Sequence, residues 1–104
     1  MRREELIERI RVRLNALPEL QKPEDLARAA LLLDLAASET LDYASSARRY
    51  ELVKLALEIE SCARVLRATY LTIQLNGGGE EILEHAKNDL QEGANALRKL
   101  LALI

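Results

Sequence analysis

The sequence has no Phe and no Trp, and its only aromatic residues are Tyr43, Tyr50 and Tyr70. Pockets for planar cofactors are usually walled by aromatic rings, so this composition weighs against any flat ligand. β-Branched residues are few and scattered, which leaves little from which to build strands. Cys62 is the single cysteine, so no intrachain disulfide can form and no redox compartment is implied. No uncharged run approaches the roughly 20 residues needed to cross a bilayer. Charge from Arg2 onward is unlike the start of a secretory signal. A soluble, cytoplasmic chain with no membrane partner is expected. The formal net charge of −2 gives no basic excess for binding nucleic acid. Arg2, Arg3, Arg9, Arg11 and Arg13 do cluster, but Glu4, Glu5 and Glu8 are interleaved with them, and the set reads as a solvated helix face.

What is present is Leu, Ala, Glu and Arg, all strong helix formers. With 104 residues, 49% of them hydrophobic and 31% charged, the chain has the composition of one soluble globular domain, residues 1–104. The stretch from Ser45 to Asn76 organises the rest. Leu52, Leu55, Ala56, Ile59, Cys62, Ala63, Leu66, Tyr70 and Ile73 recur at helical spacing without a Pro or Gly between them. Gly77-Gly78-Gly79 follow and supply a reversal. Before it, Leu6, Ile7, Ile10, Leu14 and Leu17 mark a first helix that Pro18 ends. Pro23, Glu24 and Asp25 look like the start of a second, with Pro at an early position and acids in the first turn. After the glycines, Glu80 and Glu81 open a last helix whose stripe runs from Leu83 to Ile104.

The expected fold is therefore all-α, a four-helix bundle with helices at about 3–17, 24–43, 46–75 and 80–103. The second helix is apolar almost all round from Leu26 to Ala37, as a central or subunit-covered helix would be. Its end is the hardest boundary to place, because Ser38, Thr40, Asp42, Ser45 and Ser46 are all plausible caps and no Gly or Pro follows them. A break near Tyr43 to Ser46 is expected, with one bent or continuous helix from Glu24 to Gln74 as the alternative. Gly93, in mid-helix, costs about 1 kcal/mol relative to Ala and is expected to mark a close approach.

No arrangement of residues carries chemistry with specificity. The three glycines lack the Lys and Ser or Thr of a phosphate loop and precede two glutamates, so they read as a turn. His85 with Glu81 and Asp89 has a spacing able to hold a transition metal, but a lone His more often sits at a surface, and no metal site is expected. A triad drawn from Ser61 or Cys62 with His85 and Asp34 uses residues that any bundle would supply, and no catalytic residue is assigned. Asp34 stands out among leucines. It is expected at an exposed edge, paired with Arg64 or Arg67, or held protonated for function. The candidate positions for a small-molecule pocket are Asp34, Tyr70, Gln74 and His85. No cofactor is expected.

Helices rich in Leu, Ala, Glu and Arg, acids at helix starts and the triple-glycine turn together resemble de novo designed helical bundles. That resemblance implies a scaffold or assembly with no catalytic activity. The alternatives are a ligand-binding or catalytic bundle around Asp34 and a natural partner-binding subunit. Arg in preference to Lys, the Ser/Thr-rich stretch from Ser38 to Ser46, free Cys62 and Gly93 depart from idealised design. The apolar circumference of the second helix and the uncharged run from Ala68 to Gly79 exceed what a short first helix can cover. Self-association is expected, most simply as a two-fold dimer joined through Leu31, Leu35, Leu71 and Leu75.

Overall fold

The computed structural model describes every residue from Met1 to Ile104. It contains four helices and no strand: α1 (Arg3–Ala16), α2 (Pro23–Ser46), α3 (Glu51–Asn76) and α4 (Glu80–Leu103). The helices lie in a body of 44 × 20 × 17 Å, and α3, with 26 residues, is the longest of them. The four-helix bundle read from the sequence is thus the fold.

Helix α2 is the central element and touches all three others. Its fully covered Leu26, Ala29, Leu33, Ala36 and Ala44 face a core shared with Leu52, Ile59 and Leu66 of α3 and Leu97 and Leu100 of α4. Helix α1 packs on α2 and α4 but not on α3, and seals the core with Leu6 and Ile10. The one buried polar side chain is Thr40, whose hydroxyl donates to the Ala36 carbonyl at 2.7 Å, so it carries no unmet hydrogen bond into the core.

Each helix end has a local cause. Helix α2 begins at Pro23, and the Asp25 carboxylate accepts the backbone N–H of Gln21 at 3.0 Å and of Lys22 at 3.1 Å. Those two bonds hold its carboxyl below the ordinary value. Helix α3 ends at Gly77 and Gly78, which take φ of +72° and +79° as the reversal requires. The single long helix from Glu24 to Gln74 does not form, and the break falls later than Tyr43 to Ser46. Helix α2 runs to Ser46 and stops because Arg48 adopts a φ of +55°. The N–H of Arg49 then donates to the Ala44 carbonyl at 2.9 Å and that of Arg48 to the Ser45 carbonyl at 3.4 Å, the bond pair of a Schellman cap. An arginine occupies the position that glycine usually holds, which is why no stop was visible.

Gly93 sits where α4 crosses both α2 and α3. A Cβ there would come within 2.8 Å of Leu33 Cδ1 and 3.4 Å of Cys62 Cβ. The absent side chain is the space that Leu33 fills. The basic N-terminus is only partly a solvated face: Arg13 makes two bonds of 3.2 Å to the Glu39 carboxylate and Arg9 adds one of 3.3 Å. Glu39 is 11% exposed, so this clamp fastens α1 to α2 at a largely covered carboxylate. At the C-terminal end of α4, Arg3 donates to the Ile104 carbonyl at 2.7 Å and Arg49 to that of Leu103 at 3.1 Å, satisfying the last carbonyls of that helix.

Candidate functional site

The residues singled out in the sequence are spread over the bundle. Asp34 lies at the surface and accepts from Arg67 across the α2–α3 seam at 2.8 Å, with both side chains close to half exposed. Of the readings open for it, the ion-paired edge is the one realised. Beside it is a shallow depression of about 450 Å³ bounded by Leu31, Leu35, Leu41 and Glu60. Tyr70, Gln74 and His85 do not border this depression or either of the two larger ones. Tyr70 leans half-buried on the core, while Gln74 and His85 are exposed on α3 and α4.

Ser61 and Cys62 border a different groove, between α3 and α4, with Glu58, Glu92, Asn95 and Lys99. Neither His85 nor Asp34 enters it, so the triad has no common location. Burial pushes the Cys62 thiol up, and the carboxylates of Glu92, Asp89 and Glu58 add to the effect. A thiol held protonated in this way is a poor nucleophile. No group of His, Cys, Asp and Glu side chains converges as a metal-binding cluster would, around His85 or elsewhere. No helix is long and apolar enough to cross a membrane.

The most coherent surface feature is an apolar face on α2 and α3. Leu31 and Leu35 of α2 are 57% and 39% exposed, and Leu71 and Leu75 of α3 are 53% and 83% exposed. The Asp34–Arg67 pair lies among them, and Arg64 reaches Glu60 at 2.8 Å one turn away. Within the subunit these four charges close two salt bridges and balance one another. Full burial of a leucine is worth about 1.5–3 kcal/mol relative to exposure, and these four forgo much of that in the single subunit. Helix α1 is on the other side of α2, against α4, and contributes no cover here.

No family model, curated protein or solved structure was found to match the chain.

Proposed function

We propose that this chain is a structural, self-associating helical bundle without catalytic activity, and that two copies join through the outer face of α2 and α3. The observation that carries this reading is the exposure of Leu31, Leu35, Leu71 and Leu75 around balanced ion pairs. A face carrying equal acid and base is self-complementary under a two-fold axis, where Asp34 and Glu60 of one copy can meet Arg64 and Arg67 of the next. A strongly charged partner would find no matching field there. A role as a designed scaffold belongs to the same proposal and is supported by the short turns and the acid-led helices. Arg48 in a left-handed cap runs against idealised design, which would place glycine there.

The reading is tested by Leu35→Glu and Leu71→Glu, which place a carboxylate at exposed positions that the folded subunit tolerates. Each variant should retain the helical signal and melt cooperatively while eluting from size exclusion later than the unaltered protein. Identical elution of all three proteins at micromolar concentration would defeat the proposal.

A further inference from the structure

A third depression, larger than the two described above, lies away from the leucine face, and it arises because α1 is too short to follow α4. Arg3 beside Ile104 shows that the two helices run antiparallel, so α1 stops opposite the middle of α4 and the connector turns back there. What remains is a groove of about 560 Å³, floored by Leu14, Leu17, Leu20 and Leu90. Its α4 wall carries Lys87, Gln91 and Arg98, spaced along one stripe. Lys87 and Arg98 are separated by roughly 16 Å along the helix at about 1.5 Å per residue.

The two ends differ in charge. Lys87 is already paired with Glu84 at 2.8 Å, and the groove's one carboxylate, Glu19, belongs to the connector at that end. Arg98 has no carboxylate partner. Its side chain donates only to the neutral Asn95 amide oxygen, at 2.9 Å, leaving donors of the guanidinium fork available. An aliphatic floor without aromatic walls suits a flexible chain better than a ring.

We propose that this groove binds a medium-chain fatty acid, with the alkyl chain on the leucine floor and the carboxylate on Arg98. Arg is suited to this role because its planar fork meets a carboxylate with two parallel hydrogen bonds. Gln91, about two turns away on the same stripe, donates one amide N–H to Asn95 Oδ1 at 3.1 Å and has a second to offer beside the chain.

The test is calorimetric titration of the intact protein with octanoate, octan-1-ol and octylammonium. Saturable binding of octanoate, about tenfold tighter than of octanol, is the expected result, since a charge-assisted pair is roughly twice as strong as a neutral one. Arg98→Gln, a change at an exposed position, should reduce octanoate to the level of octanol and leave octanol unchanged. Gln91→Glu should weaken octanoate alone by placing a carboxylate in its path. Absence of saturable octanoate binding, equal or tighter binding of octylammonium, or octanoate binding unaffected by Arg98→Gln would each overturn the proposal. Binding to the α2–α3 leucines would appear as the last of these outcomes. Self-association stands or falls separately, because no residue of the groove belongs to that face.

Discussion

Replacing Gly93 by Ala isolates the contact that sets how closely α4 approaches α2. In an isolated helix this change is favourable by about 1 kcal/mol. In this bundle the new methyl would meet Leu33 Cδ1 at 2.8 Å and Cδ2 at 3.2 Å, and because Leu33 is fully buried its methyls can yield only by shifting against the packed core around them. Cys62 Cβ at 3.4 Å closes the other side, and as an atom next to the backbone it cannot rotate away. Overpacking of this kind costs about 1–3 kcal/mol, so the net effect of Gly93→Ala should be a loss of about 1 kcal/mol. Leu33→Ala should cost about 2–5 kcal/mol by itself, because it opens a cavity in the same place. In that background the Gly93 methyl enters empty space, and the second substitution should become stabilising by about 1 kcal/mol. Urea unfolding followed by far-UV circular dichroism on the four proteins of the cycle gives the coupling directly. An effect of Gly93→Ala with the same sign and size in both backgrounds would refute the packing argument.

Arg48→Gly should raise the urea midpoint. It removes the roughly 1–2 kcal/mol cost of a side chain at φ of +55° and returns about 0.5–1 kcal/mol as chain entropy, for a net gain of about 0.5–1 kcal/mol. A lower midpoint would mean that the Arg48 side chain matters more than its backbone. Glu39→Gln should cost about 1–2 kcal/mol by removing the charge that Arg9 and Arg13 share, and unfolding that is unchanged in urea would show the clamp to be idle. Stability should also fall in acid. The carboxyls of Asp25, Glu51 and Glu84 are held below their ordinary values of 3.8 and 4.5 by hydrogen bonds from backbone N–H groups, Arg49 and Lys87 respectively. The unfolded chain therefore binds more protons in acid, so what these groups contribute is complete above those values and lost as pH falls through the lowered ones. A urea midpoint that rises on going from pH 5 to pH 3 would contradict this.

The helical stripes and the strong breakers were legible in the sequence, and they place α3, α4 and the turn between them. Pro18 and Pro23 do the same for the α1–α2 connector. The end of α2 was not legible, because its stop is a conformation of Arg48 and not a residue type that demands it. Gly93 announced a close approach, but nothing local could name Leu33 as the side chain that fills the gap, since that pairing depends on α2 and α4 facing each other across the core. Glu39 was invisible as the anchor of Arg9 and Arg13 for the same reason, with more than twenty residues intervening in sequence. Asp34 was legible as an acid in need of a cation, and Arg67 was one of two candidates. The surplus of exposed leucines at Leu31, Leu35, Leu71 and Leu75 followed from comparing helix lengths. The groove under Arg98 did not, because it depends on where α1 ends against α4.

Self-association through α2 and α3 is tested most directly by the molar mass from light scattering at micromolar concentration, repeated after tenfold dilution. The expected result is about twice the 11.7 kDa of one chain at the higher concentration, falling towards one chain on dilution and held at one chain by Leu71→Glu. A mass of 11.7 kDa for the unaltered protein at both concentrations would contradict it and show that the bundle is complete alone with its leucines in water.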